Sequence, residues 1–64
     1  MNSELVYQVK KLLKRSNLTF DEIQNHFNNS SSSSEVRDAL LHLESLKIVR
    51  YLSVVGLYSL TGQV

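Results

Sequence analysis

The stretch from Ser32 to Arg50 constrains the fold more than any other part of the chain. Its apolar side chains recur at steps of three and four residues, at Val36, Ala39, Leu40, Leu43 and Leu46. This period predicts a helix over residues 33–47 with these side chains buried. Ser32 and Glu35 have the spacing of a capping box, in which each side chain binds a backbone N–H at the helix start. Residues 48–52 are mostly β-branched, aromatic or aliphatic, which predicts a strand directly after the helix.

Two segments before this stretch also have the spacing of amphipathic helices. The first has apolar residues at Leu5, Val6, Val9, Leu12 and Leu13. It predicts a helix over residues 3–16 with Ser3 as its cap. In the second, Thr19 and Glu22 repeat the capping-box spacing and predict a helix over residues 20–28. Three side chains of that helix are expected in the core, namely Phe20, Ile23 and Phe27.

The end of the chain predicts a β-hairpin, with strands over residues 48–52 and 57–61. Gly56 supplies the positive φ that a tight hairpin turn requires. In this register Tyr51 and Tyr58 are expected to meet across the two strands. An isolated hairpin would be unstable, so we expect one of its sides to pack on the helices.

Residues 1–64 are therefore expected to form a single α+β domain, mainly helical, with three helices followed by a two-stranded hairpin. The connector Leu18-Thr19-Phe20, between the first two helices, is a candidate for a brief strand that pairs with the hairpin. A chain of 64 residues buries only about 60 % of the surface exposed when it is unfolded, so its stability depends on a well-filled core.

Composition excludes several classes of function. The chain has no cysteine and only two histidines, which lie far apart in the sequence, so we expect no disulfide and no metal ion. It has no glycine-rich phosphate loop, no paired carboxylates and no nucleophile with a base, so we expect no enzymatic activity, no cofactor and no small-molecule substrate. No apolar run approaches the roughly 20 residues of a membrane span. We find no signal peptide and expect a cytoplasmic protein.

Net charge is only +1, so any contact with nucleic acid must come from local placement of cations rather than from bulk attraction. One group of cations lies in the first predicted helix, at Lys10, Lys11, Lys14 and Arg15. These side chains complement the negative end of the helix dipole, which is sufficient for a solvated face. The same side chains could also contact phosphate groups, and both interpretations remain open.

The serine-rich run over residues 28–34 is the only low-complexity segment. Such runs are typical of flexible linkers. Here the run lies between two predicted helices of a small domain. We therefore assign its first half to a turn and its second half to the first turn of the next helix. Serine hydroxyl groups and exposed N–H groups at a helix start are both suited to bind phosphate oxygens.

Two segments resemble the winged helix-turn-helix regulators, among them the GntR-like, PadR-like and MarR-like transcription factors. Residues 35–48 are similar to the run written VRxAL…LExxGxI in that superfamily, although Lys47 stands where glycine is frequent. Residues 57–62, which read LYSLTG, look like its second wing strand, YxLTxxG. The resemblance implies that the helix over residues 33–47 enters the DNA major groove and that the hairpin is the wing.

Carried over to this chain, the resemblance implies eight residues in contact with DNA, namely Thr19, Ser32, Ser33, Ser34, Arg37, His42, Lys47 and Arg50. Arg37 would bind a guanine or a phosphate, and a good bidentate base contact provides about 1–3 kcal/mol of discrimination. The backbone N–H of Thr19 would bind a phosphate, and Lys47 and Arg50 would contact the DNA backbone beside the wing. The expected partner is double-stranded DNA, and operator binding of this kind implies a homodimer.

A second hypothesis is a protein–protein interaction module that acts as an adaptor in a larger assembly, since a fold does not determine a function. The near-zero net charge favours it, as do three apolar residues outside the expected core, Leu41, Val54 and Val55. Several exposed apolar side chains on one surface would indicate a protein partner.

Overall fold

The structure, a computed structural model, describes residues 3–61 as three helices followed by a two-stranded antiparallel hairpin. In chain order the elements are α1 (Ser3–Arg15), α2 (Phe20–Phe27), α3 (Ser33–Ser45), β1 (Val49–Leu52) and β2 (Leu57–Leu60). The predicted small α+β layout, mainly helical, is confirmed. Each element agrees with the sequence pattern at one end and is shorter at the other, by two residues in α3 and by one residue in each of the other four.

Capping boxes begin both α2 and α3, as their sequences predict. The backbone N–H of Thr19 donates to Glu22 Oε1 at 2.9 Å, and the N–H of Glu22 donates to Thr19 Oγ1 at 3.2 Å. The same reciprocal pair joins Ser32 and Glu35, at 2.9 and 3.3 Å. Each box satisfies two N–H groups that have no acceptor within their own helix, so both helix starts are fixed by local sequence.

A left-handed residue ends α3 earlier than its apolar period predicts. Lys47 has a φ of 60° and follows the cap of the helix. Its N–H donates to the carbonyl of Glu44 at 2.9 Å, and the N–H of Ile48 donates to the carbonyl of Leu43 at the same distance. These two bonds form a Schellman motif, whose left-handed position glycine usually occupies. Lys47 therefore adopts a left-handed conformation that L residues other than glycine seldom take.

The prediction that Leu46 is buried is wrong, because 55 % of this residue is exposed. Leu46 is the cap residue after α3 ends at Ser45. The helical period therefore stops before Leu46, and its side chain does not follow the buried side of the helix.

The hairpin pairs β1 and β2 in the register Val49↔Leu60, Arg50↔Ser59, Tyr51↔Tyr58 and Leu52↔Leu57. Gly56 has a φ of 71° in the connecting turn, as predicted. Its N–H closes the turn by donating to the carbonyl of Leu52 at 2.7 Å. The rings of Tyr51 and Tyr58 lie 4.9 Å apart between centroids, which confirms their expected contact.

Leu18 pairs with the free edge of β2 through a single residue. Its N–H donates to the carbonyl of Tyr58 at 3.2 Å, and the N–H of Tyr58 donates to the carbonyl of Leu18 at 2.7 Å. The result is an isolated antiparallel bridge beside β2. It confirms the predicted pairing for Leu18 only, since Thr19 caps α2 and Phe20 begins that helix, and it ties the start of α2 to the hairpin.

One apolar cluster joins all five elements. Its buried members are Leu5, Val9, Leu13, Ile23, Phe27, Val36, Ala39, Leu40, Leu43, Val49 and Leu60. Helix α1 packs on α3 and β2, while α2 packs on α3 and β1 packs on α3. Helix α3 therefore contacts three other elements and leaves only its outer side to solvent.

Candidate functional site

A cleft of about 340 Å³ opens between α3 and the hairpin. Six residues line it, namely Phe20, Arg37, Leu41, Tyr51, Gly56 and Tyr58. They come from the start of α2, the outer side of α3 and both strands with their turn. We define these six residues as the α3–hairpin cleft.

Helical and strand periods explain why these side chains meet. Arg37 and Leu41 lie one turn apart on α3, which places them on one side of the helix. On the hairpin, Tyr51 lies two residues after buried Val49 and so points to the same side of the sheet. Its cross-strand neighbour Tyr58 is on that side too. The cleft is therefore the outward continuation of the core between α3 and the hairpin.

Arg37 is the cation of the cleft. The carbon of its guanidinium group lies 5.5 Å from the centre of the Phe20 ring, which is a cation–π distance. Within residues 3–61 no carboxylate forms an ion pair with Arg37. The side chain is exposed, so the ring orients the guanidinium group and leaves its N–H donors available to a ligand.

Tyr58 is the half-buried phenol of the cleft. Burial raises the pKa of Tyr58 above 10.0, and the nearby Glu44 carboxylate and Tyr51 add to the rise, while Arg37 lowers it. The phenol is therefore neutral at pH 7 and retains its proton as a hydrogen-bond donor. Tyr51 is more exposed and presents its ring at the mouth of the cleft.

The serines at the start of α3 are exposed, as expected. Ser32 is the cap, and the capping box uses its N–H and its hydroxyl oxygen. By the geometry of a helix start, the N–H groups of Ser33 and Ser34 have no acceptor within α3. The exposed first turn of α3 thus offers two backbone donors beside two hydroxyl groups.

Thr19 differs from the sequence-based expectation in one respect. Its backbone N–H, which was expected to bind a phosphate, donates to Glu22 Oε1. The hydroxyl oxygen of Thr19 accepts the N–H of Glu22 in the same box. Thr19 therefore caps α2, and its backbone N–H is already engaged.

The other three predicted residues lie outside the cleft. His42 is half-buried and lies five residues after Arg37, which is about 140° around the helix. Lys47 is exposed in the turn after α3, and Arg50 is exposed in β1. Arg50 alternates with Tyr51 along the strand and so points to the other side of the sheet. The structure thus brings Arg37 to the cleft but separates it from His42 and Arg50.

Sequence reasoning missed the aromatic and aliphatic lining of the cleft. Phe20 was assigned to the core only, and Tyr51 and Tyr58 only to a cross-strand contact. Leu41 was noted as an apolar residue outside the core, and 55 % of it is exposed. The alternation of the two strands could have placed both tyrosines toward α3, but the position of Phe20 depends on the tertiary fold.

Comparison of the chain with protein-family models, with curated protein sequences and with solved structures finds no match in any of the three. In residues 3–61, no helix combines the length and the apolar character needed to cross a membrane. The same residues contain no cluster of three or more potential metal-binding side chains.

Proposed function

We propose that the protein is a winged helix-turn-helix domain that binds double-stranded DNA and acts as a small transcription regulator. The order of elements supports this assignment, because α2 and α3 are followed directly by a hairpin that also pairs with the connector before α2. In this proposal α3 enters the major groove, which is wide enough for one helix. The hairpin then lies along the DNA backbone as the wing.

The observation that carries the proposal is the position of Arg37. Its guanidinium group is oriented by the Phe20 ring, exposed, and without an ion pair in residues 3–61. It extends from α3 one turn after the serine hydroxyl groups and free N–H groups of the helix start. A phosphate at that start and a base edge next to Arg37 would be bound by adjacent turns of one helix.

The balance of charges on α3 and the hairpin sets the expected strength of DNA binding. From Ser32 to Leu60 there are three cations, Arg37, Lys47 and Arg50, and three carboxylates, Glu35, Asp38 and Glu44. Bulk attraction by this part of the chain is therefore weak, and the capping box holds the Glu35 carboxylate at the helix start. We infer that binding depends on a few specific contacts and that two copies bind two half-sites.

The test is a salt series of binding to random-sequence duplex DNA, with the mass of the protein in solution recorded in parallel. If Arg37, Lys47 and Arg50 each neutralise one phosphate, the logarithm of the affinity should fall with the logarithm of salt with a slope of about −3. Absence of binding at low salt would overturn the proposal.

A second candidate function, an adaptor that binds protein, is supported by the apolar wing tip. Val54 is 97 % exposed, and Val55 and Leu41 are also exposed. Leu41 lines the α3–hairpin cleft, and Val54 and Val55 directly precede its lining residue Gly56 in the sequence. The two candidates make opposite predictions for Val54→Lys. A cation at the tip should strengthen DNA binding if the wing lies on the backbone, whereas it would disrupt an apolar protein interface.

A further inference from the structure

The exposed side of α1 carries four of the seven cations of the chain. They are Lys10, Lys11, Lys14 and Arg15, and we call them the α1 basic surface. The opposite side of the helix holds Leu5, Val9 and Leu13, all buried in the core. The four cations therefore project from the domain within an axial length of about 8 Å.

The helix dipole does not account for the whole of this surface. A dipole stabilises cations within the last turn, which covers Lys14 and Arg15. Lys10 and Lys11 lie a turn earlier and form like-charge pairs with those two residues at a spacing of four. Such pairs destabilise a helix by roughly 0.2–0.5 kcal/mol each. The fold therefore does not require Lys10 and Lys11, whose positive charges repel those of Lys14 and Arg15.

The four side chains of the α1 basic surface are exposed to solvent. None of the four side chains forms an ion pair within the part of the chain that the structure describes. Lys11 makes a cation–π contact, with its Nζ atom 5.4 Å from the centre of the exposed Tyr7 ring. The only acidic residue of α1 is Glu4, in its first turn. The surface is therefore ready to bind an anionic partner.

The α1 basic surface faces away from the α3–hairpin cleft. Helices α1 and α3 pack on each other, and each contributes its buried stripe to the shared core. Their exposed sides therefore point in different directions. The groove beside the α1 basic surface is lined by residues of α1, His26 and Leu60, and it has no lining residue in common with the cleft.

We propose that the α1 basic surface is a second phosphate-binding site, through which one copy of the domain holds a second DNA duplex. This inference rests on the proposed function, because the domain can bridge two duplexes only if its α3 surface already holds the first one. Double-stranded DNA carries one negative charge per about 1.7 Å of axis, so four cations within about 8 Å can neutralise several phosphates. An anionic membrane is a poorer partner, because the apolar stripe of α1 is buried and cannot enter the lipid.

The experiment measures bridging of two duplexes. A short random-sequence duplex is immobilised, and the full chain is added together with a second, fluorescent duplex of the same sequence. The wild-type protein should retain the second duplex on the support. The double variant Lys10→Gln/Lys14→Gln should still bind a single duplex in solution and should retain none of the second.

A matched control separates local charge from net charge. Asn25→Asp/Asn29→Asp also makes the net charge more negative by two, at exposed positions of α2 and the following turn. This variant should bridge like the wild type. Circular dichroism spectra of all variants establish that each is folded, and the mass in solution is recorded under the same conditions.

Four results would overturn the inference. In the first, the wild type binds one duplex but retains no second duplex. In the second, Lys10→Gln/Lys14→Gln bridges two duplexes as well as the wild type does, which is the behaviour of a dimer that binds one duplex at each of its two α3 surfaces. Binding to phosphatidylserine vesicles that depends on Lys10 and Lys14, without any bridging, would assign the surface to a membrane. Absence of any duplex binding would remove the proposed function as well, whereas the first two results leave it intact.

Discussion

The hydroxyl group of Thr61 donates a hydrogen bond of 2.6 Å to the carbonyl oxygen of Lys47, which connects the residue after β2 to the turn after α3. The backbone N–H of Thr61 donates to the neighbouring carbonyl of Ile48 at 2.8 Å. These bonds hold the only non-glycine residue with positive φ in residues 3–61. Two hydrogen bonds from Thr61 thus tie the open end of the hairpin to the turn that follows α3.

Replacing Lys47 with glycine should raise the stability of the domain and lower its affinity for DNA. Glycine adopts positive φ without strain, so Lys47→Gly should raise the free energy of unfolding by about 1 kcal/mol in urea denaturation. The same change removes a cation and should weaken binding to duplex DNA. In the control, Lys47→Ala, the Cβ atom and its strain remain, so affinity should fall without any gain in stability. A Lys47→Gly protein less stable than Lys47→Ala would contradict this reasoning.

Arg37→Ala should weaken DNA binding with little effect on folding, because Arg37 is exposed and lies beside the buried stripe. Loss of one phosphate contact should reduce the salt slope by about 1, and loss of a base contact should cost about 1–3 kcal/mol at the recognised position. Arg37→Lys keeps the charge but not the planar group on the Phe20 ring, so it should restore the salt slope but not base discrimination. Unchanged affinity of Arg37→Ala for every duplex tested would exclude α3 as the reading helix.

Two adjacent leucines of α3 should differ strongly in how much stability the domain loses when each is replaced by alanine. Leu40 is 1 % exposed in the core, so Leu40→Ala should lower the free energy of unfolding by about 2–5 kcal/mol. Leu41 lines the cleft and is exposed, so Leu41→Ala should change the free energy of unfolding by no more than about 0.5 kcal/mol. Thermal denaturation of both variants measures these changes in stability. Equal losses of stability would mean that α3 is rotated about its axis relative to the structure described above.

Ionisation of Tyr58 should destabilise the fold in alkali. The pKa of Tyr58 in the folded state lies above 10.0, first because of burial and then because of Glu44 and Tyr51. Folding therefore favours the neutral phenol of Tyr58. The stability that this preference contributes is fully present below pH 10 and is lost as the pH rises through the folded-state pKa. Denaturation at a series of pH values should show a steeper fall above pH 10 for the wild type than for Tyr58→Phe. Parallel curves would show that another group controls the alkaline transition.

Local sequence patterns were sufficient to predict most of the fold. Both capping boxes follow from residue types three positions apart, and the contact of Tyr51 with Tyr58 follows from strand alternation and the position of Gly56. The end of α3 could not be predicted in this way. A lysine has no preference for positive φ, and the conformation of Lys47 depends on hydrogen bonds from Thr61 and from the helix itself.

The candidate site was predictable only in part. Arg37 could be placed on the outer side of α3 from its position beside the apolar stripe, whereas its contact with Phe20 requires the relative placement of two helices. The grouping of His42 with Arg37 fails on helical geometry alone, since five residues correspond to about 140° of rotation. The N–H of Thr19 shows that a capping box and a phosphate contact compete for the same donor.

The bridge between Leu18 and Tyr58 has a consequence for the speed and order of folding. Helices form from contacts between near neighbours in the chain, but this pair joins residues that are far apart in sequence. Closing so long a loop has a large entropy cost before any contact is gained, so non-local pairings of this kind slow folding. We therefore expect the three helices to gather early and the arrival of the last strand beside Leu18 to complete the transition to the native state.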